Sequence, residues 1–275
     1  MAAFGRRGKV VGTYRRRPGP GLVPFDLTSP KAAADLVERL RPRTVVCAGA
    51  DPHVEGCEID ALGTRRVNVE GTLALAGAAE RAEASFIFFS SEYVFDGTAG
   101  PYAEDAPRNP LNEYGRQKAE VEVALGAMRR ALVVRTSGVF GWNEDGKNFV
   151  MQLRARLEGR HTLRVAVDQD ITPTYVPNLA DAVAELAEGG VTGTIHVAAS
   201  RPITRVDFAR TAARVFGLDP ALVEPTPTDA LGLKAPRPRH AGLSTAKASA
   251  LLTTRLLDPE EGLVTMRESQ GKRSS

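Results

Sequence analysis

Residues 85–91 read Ser-Phe-Ile-Phe-Phe-Ser-Ser, a short run rich in aromatic and β-branched side chains that ends abruptly in two hydroxyls. Such a run reads as a strand buried on both faces. Similar runs lie on either side of it: KVVGTY at 9–14, GLVPF at 21–25, TVVCAGA at 44–50, ALVVRT at 131–136, TLRVAV at 162–167 and TIHVAAS at 194–200. Segments of helical period separate them, the pattern of a parallel sheet covered by helices on both faces. No short repeat relates the runs, which excludes a solenoid. The fold class is therefore α/β. In open parallel sheets ligands bind beyond the carboxyl ends of the strands, so Ser90 and Ser91 stand where a binding crevice is expected.

Two helices carry their own start signals. Ser29 followed by Pro30 gives an N-cap and a first-turn proline for SPKAAADLVERL, and Thr204 with Asp207 makes a capping box for TRVDFARTAARVFG. The regular alternation loosens near Trp142. The expected division is a first domain over 1–141, to which 168–198 returns, and a second region over 142–275 with a disordered tail from about 266.

Bulk composition narrows the function classes. The 275 residues suffice for a sizeable core, and no run approaches the roughly 18 apolar residues of a membrane span. The apolar stretch behind the basic first residues is too short for a signal-peptide core, so neither a membrane location nor export is expected. Cys47, in an expected strand, and Cys57, in an expected loop, form no disulfide framework or metal-ligand spacing, which fits a reducing cytoplasm. Net charge is only +3 and, apart from Arg15, Arg16 and Arg17, there is no basic block to suggest nucleic acid. The four histidines are dispersed with no metal or triad spacing, and His196 reads as a packed strand residue. Glu104 and Asp105 read as solvated loop acids. The expected partner is a small molecule, and a homodimer is the one assembly considered.

Twenty-three residues after Ser91 comes Tyr114, in NPLNEYGRQKAEVEVAL, with Lys118 four residues later on the same helix face. A phenol with an ordinary pKa of about 10 is a poor proton donor at neutral pH, and a nearby ammonium favours the phenolate. Tyr114 can then give a proton to a carbonyl oxygen that Ser91 holds by a hydrogen bond. No side chain supplies hydride, so this chemistry calls for a nicotinamide cofactor.

These residues resemble the extended short-chain dehydrogenase/reductases, and within them the dTDP-4-dehydrorhamnose reductase branch. The motifs that carry the resemblance are SSEYVFDG at 90–97 and PYAEDAPRNPLNEYGRQKAE at 101–120. GKNFV at 146–150, VDQDITPTYVPNLADAV at 167–183, GTIHVAAS at 193–200 and RPRHAGL at 237–243 follow in the family's order. The resemblance implies a Rossmann-type doubly wound sheet and a reductase of a 4-keto nucleotide sugar. It implies Ser91, Tyr114 and Lys118 as the catalytic trio, with Tyr114 and Lys118 also meeting the cofactor, and Ser90 as structural. Substrate contacts are expected from Ser91, Asn148, Phe149 and Arg237.

A dinucleotide-binding fold begins with a strand and a glycine-rich turn whose amides receive the pyrophosphate. Against the family, MAAFGRRG is similar to the end of the first helix and KVVGTY to the second strand, so the first strand and that turn are not in this sequence. Either the protein starts upstream of Met1 or it is a truncated member that has lost cofactor binding. Arg15 and Arg16 then follow the second strand, where arginines suit the 2′-phosphate of NADP(H) better than the 2′-hydroxyl of NAD(H). Asp26 and Leu27 resemble the pair flanking adenine, and Ala48 and Gly49 the segment lining the cofactor.

Two stretches depart from the branch. Gly138 stands where a tryptophan beside the sugar is usual, and DPHVEGCE at 51–58 has Glu55 where an aspartate is usual. Similar departures occur in the regulatory beta subunit of methionine adenosyltransferase, which binds NADP and a partner enzyme. A nucleotide-binding interaction subunit is thus the alternative function.

Overall fold

A computed structural model describes residues 1–143 and 146–271. The chain opens with the short helix α1 (Ala2–Gly5), then β1 (Gly12–Tyr14), β2 (Leu22–Pro24), α2 (Pro30–Leu40) and β3 (Thr44–Cys47). Ser29 caps α2 by accepting the Ala32 amide, as its sequence signal predicts. Helices α3 (Val54–Ile59), α4 (Ala61–Arg65) and α5 (Thr72–Arg81) lead to β4 (Ser85–Ser91), followed by α6 (Glu113–Leu125) and β5 (Ala131–Phe140). Cys57 therefore lies in a helix, not a loop. Both cysteines are free and buried.

The main sheet is parallel, in the order β3-β4-β5. Alternation along its strands sends side chains to two separate cores. Phe86, Phe88, Ala131 and Val133 face a cluster with Val37, Leu75, Ala76, Val121 and Leu125 from α2, α5 and α6. Ile87, Leu132 and Val134 face the opposite way. There they meet Leu179, Val183 and Leu186 of α8 (Val176–Glu188), which follows α7 (Phe149–Glu158), β6 (Leu163–Ala166), β7 (Asp170–Ile171) and β8 (Pro173–Tyr175). Each fully buried side chain of this size contributes about 1.5–3 kcal/mol. The free edge of β5 pairs with β8 along its later half and with β9 (Gly193–His196) along its earlier half.

The TLRVAV run forms β6 but does not join this sheet. It pairs in parallel with β11 (Val223–Thr226), while β7 pairs antiparallel with β10 (Ile203–Thr204). Around these lie α7, α9 (Arg205–Val215) and α11 (Pro259–Gly271), while α10 (Ala246–Leu251) packs against β9. Thr204 caps α9 as its sequence signal predicts, its hydroxyl accepting the Asp207 amide and donating to the Asp207 carboxylate, without, among the described residues, the Asp207-to-Thr204-amide bond that would complete a capping box. Helix α11 corrects the expectation of disorder from about 266. Met266 is fully buried in the α7/α9 core, and the Trp142 indole donates to its carbonyl, so packing outweighs the polar composition here. Residues 272–275 lie outside the described residues.

β1 and β2 pair only with each other and share no ladder with β3. Phe25 and Leu27 nevertheless pack into the same cluster as Val45 and Cys47, so both pieces belong to one layer. A central parallel strand is buried on both faces, yet Val46 of β3 is 37% exposed. Among the described residues, no helix is long and apolar enough to cross a membrane.

Candidate active site

Ser91 is the last residue of β4, and the chain turns there into one 3-10 turn over Glu92–Val94. Successive residues of a strand face opposite ways, so Ser90 and Ser91, both buried, point to opposite faces of the strand end. Helix α6 brings Tyr114 alongside. Its N-cap is Asn112, whose side chain accepts the Gly115 amide at 2.9 Å and donates to the Pro236 carbonyl at 2.8 Å, tying the helix start to the C-terminal region. Gly115 permits the close approach: a Cβ there would lie 2.1 Å from the Tyr93 carbonyl oxygen. With that contact made, the Tyr114 ring meets Tyr93 edge-on at 5.7 Å between centroids.

Lys118 is one turn further on, 4% exposed. Its ammonium donates to the Phe89 carbonyl of β4 at 2.8 Å and lies 5.7 Å from the Tyr114 ring centroid and 4.6 Å from that of Phe88. Burial pulls Lys118 down to about 8, opposed chiefly by the nearby thiols and Glu122. The expected lowering of the Tyr114 pKa is not what this state shows. Burial pushes the phenol up, the charges of Glu92 and Tyr93 add to it, and the Ser91 hydroxyl pulls the other way. Desolvation is the largest influence on the phenol, while the Lys118 ammonium is engaged by the Phe89 carbonyl.

Ser91, Tyr114 and Lys118 thus converge on one point at the carboxyl end of β4. Two cations also act on the site. The Arg237 guanidinium lies 5.8 Å from the Tyr93 ring centroid, and Arg205, which sits 4.7 Å over the Phe149 ring, exerts its charge on both Glu92 and Tyr93. Arg237 is held by Glu55 at 2.6 Å, and Glu55 also accepts the Lys234 and Ala235 amides. The unusual glutamate in DPHVEGCE is therefore the anchor of the Arg237 loop. Asn148 is engaged locally: it caps α7 through Met151 and donates to the Gly141 carbonyl at 2.7 Å. Phe149 presents one face to Arg205 and stacks on Phe208. Gly138 has φ +49° at an irregularity in the β5–β8 pairing, and an added Cβ would be 3.3 Å from Pro173 Cα, so the backbone here favours glycine over a bulky aromatic.

Sequence reasoning missed Glu92 and Arg205. Glu92 is buried directly behind Ser91, and a charge immediately after a buried strand is the signal that would have found it. Arg205 comes close only through the tertiary packing of α9, which no local pattern reveals.

The residues present fit the two ends of a dinucleotide. Lys118 and Tyr114, expected at the nicotinamide ribose, lie one turn apart on α6, and exposed Arg15 and Arg16 follow β1, with Arg15 3.6 Å from the Asp26 carboxylate. Asp26 is fixed by Thr28 through its amide and hydroxyl. Ala48 and Gly49 are exposed at the carboxyl end of β3. The Leu27 side chain packs into the cluster that holds Val69, Leu75 and Cys47. Among the described residues no glycine-rich turn joins a strand to a helix beside β1 and β3, so none supplies a pyrophosphate cradle.

The chain matches the RmlD substrate-binding domain family over residues 1–270. It belongs to that family. It is 36% identical over 228 residues to the dTDP-4-dehydrorhamnose reductase of Mycobacterium tuberculosis, a match covering 80% of this chain and 74% of the relative. Among solved structures it resembles a hypothetical dTDP-4-dehydrorhamnose reductase from Sulfolobus tokodaii, with TM-score 0.86, 29% identity and coverage of 94% and 93% of the two chains. It also resembles the dTDP-4-dehydrorhamnose reductase of Bacillus anthracis in complex with NADP, with TM-score 0.83, 25% identity and 90% of each chain covered. As a member of the RmlD family the protein is an oxidoreductase by kinship, and its parallel sheet with helices on both faces is the family's architecture.

Proposed function

We propose that the protein reduces the 4-keto group of a nucleotide sugar such as dTDP-4-dehydrorhamnose, with NADPH as reductant. The observation that carries this reading is the convergence of Ser91, Tyr114 and Lys118 at the carboxyl end of β4. When bound, the cofactor supplies a hydride to the carbonyl carbon. Tyr114 then gives its phenolic proton to the carbonyl oxygen, converting C=O to CH–OH, while Ser91 holds that oxygen by a hydrogen bond. Lys118 favours the departing phenolate electrostatically and offers its ammonium to the nicotinamide ribose. The Arg237 and Arg205 charges on either side suit the diphosphate of a sugar nucleotide.

Incubation of the protein with NADPH and dTDP-4-keto-6-deoxyglucose is expected to oxidise the cofactor. Tight NADP binding by calorimetry, with no turnover of any 4-keto sugar nucleotide, overturns the reductase reading and supports an NADP-binding interaction subunit instead. Arg15 and Arg16 are assigned to the 2′-phosphate. Replacing both with alanine is therefore expected to weaken NADPH binding about tenfold and leave NADH binding nearly unchanged, read from the two dissociation constants. Equal losses for both cofactors contradict that assignment.

A further inference from the structure

The hydrogen bonds of Ser91 do not balance if Glu92 is ionised. A serine hydroxyl has one proton and two acceptor positions. In the structure Ser91 Oγ accepts the Tyr93 amide at 3.3 Å and lies 2.6 Å from Glu92 Oε2. A carboxylate only accepts, so an ionised Glu92 takes the single serine proton. A carbonyl oxygen also only accepts, and Ser91 then has no proton left to donate to it.

We propose that Glu92 is held in its acid form and donates to Ser91 Oγ, which frees the Ser91 proton to meet the substrate carbonyl oxygen. Glu92 is thus a positioning residue that acts through Ser91. The inference rests on the proposed reductase reading, in which Ser91 holds that oxygen.

The surroundings support the acid form. Glu92 is 5% exposed and sits in the turn that closes β4. It faces Ser91 and Tyr93 on its own segment, Tyr114 of α6, Ser137 of β5 and Arg205 of α9. Of these only Arg205 brings a positive charge, and it makes no ion pair with Glu92 at salt-bridge distance among the described residues. Burial outweighs the Ser91 hydroxyl, the Glu92 backbone amide, Ser137 and Arg205, all of which favour the carboxylate, and the carboxyl is pushed above its ordinary value. An ionised Glu92 would also oppose the Tyr114 phenolate that forms on proton transfer, since its charge acts on that phenol. A neutral Glu92 removes that opposition.

The proposal predicts a proton visible without turnover. An infrared difference spectrum of the wild type minus Glu92→Gln at neutral pH is expected to show the C=O stretch of a protonated carboxylic acid. A carboxylate pair of bands there overturns the proposal. In turnover, Glu92→Met, which keeps volume but neither donates nor accepts strongly, is expected to lower kcat at least tenfold with KM little changed. Glu92→Gln, whose amide donates and never ionises, is expected to restore most of that loss. Its alkaline fall in kcat should begin at higher pH than in the wild type, leaving only the limb set by other groups such as Lys118. Glu92→Met with wild-type kcat, or coincident alkaline limbs in Gln and wild type together with a carboxylate spectrum, sinks the proposal. Undiminished turnover in Ser91→Ala is a different failure: it removes the role assigned to Ser91 in the reductase reading, and the infrared band still reports separately on the protonation of Glu92.

Discussion

Replacing Tyr114 with phenylalanine is expected to lower kcat about 10³-fold with little change in substrate KM, within the usual range for removing a general acid. The substitution deletes one oxygen and keeps the ring. The edge-on contact with Tyr93 and the close approach at Gly115 both survive, so helix α6 keeps its place. What disappears is the only phenol that stands beside Ser91 and one turn before Lys118. The burial that raises the Tyr114 pKa in the structure sharpens the expectation, because a reluctant acid depends on stabilisation that arrives with the transition state. In the proposed reaction Lys118 is the source of that stabilisation. Steady-state NADPH oxidation checks the prediction, with circular dichroism showing that the fold persists. A phenylalanine variant that keeps more than about a tenth of the wild-type kcat removes Tyr114 from the proton-transfer step.

The parts of this site visible in the sequence are those fixed by local rules. A buried run ending in two serines placed Ser91 at a strand end, helical spacing placed Tyr114 and Lys118 on one face, and Ser29 and Thr204 announced two helices that begin where they should. Long-range packing decided the rest. Glu55 reads as an odd residue in a loop until α3 brings it to Arg237, 182 positions away. Asn148 reads as a free amide near the sugar, yet capping α7 and bonding Gly141 engage both ends of it. Glu104 reads as a solvated acid, but its carboxylate accepts the His196 amide at 2.9 Å, and its carbonyl accepts from Arg135. Polar composition around 266 suggests disorder, and only the apolar underside of α11, which seals the α7/α9 core, reverses that. In each case the deciding partner lies far along the chain, where periodicity carries no information.

The second large effect is expected at a buried ion pair behind the site. Arg135 on β5 and Glu122 on α6 are 2% and 1% exposed, joined by two parallel hydrogen bonds of 2.9 and 2.7 Å. Arg135 lies 4.9 Å from the Phe95 ring centroid and also approaches His196, which burial holds down at about 4 and therefore neutral. With the His196 Nε2 accepting from Arg135, its Nδ1–H faces the Ser244 carbonyl, so the cation meets no competing charge. Replacing Arg135 with methionine leaves Glu122 buried with only the more exposed Arg108 at 3.2 Å, and is expected to cost about 3–5 kcal/mol, measured by urea unfolding. The Arg135→Met, Glu122→Met double variant is expected to recover much of that loss, because the penalty belongs to the stranded carboxylate and not to the missing attraction. A double variant as unstable as the single one contradicts this account. The pH dependence gives an independent check. In the wild type the pair holds Glu122 below its ordinary value, so its contribution is present at neutral pH and is lost as pH falls through the depressed folded value. Without Arg135, burial raises that carboxyl instead, and the slope near its titration reverses: the single variant should gain stability relative to the wild type on acidification. Because Glu122 follows Lys118 by one helical turn, the same loss should loosen the Lys118 contact with Phe89 and lower kcat before the fold itself fails.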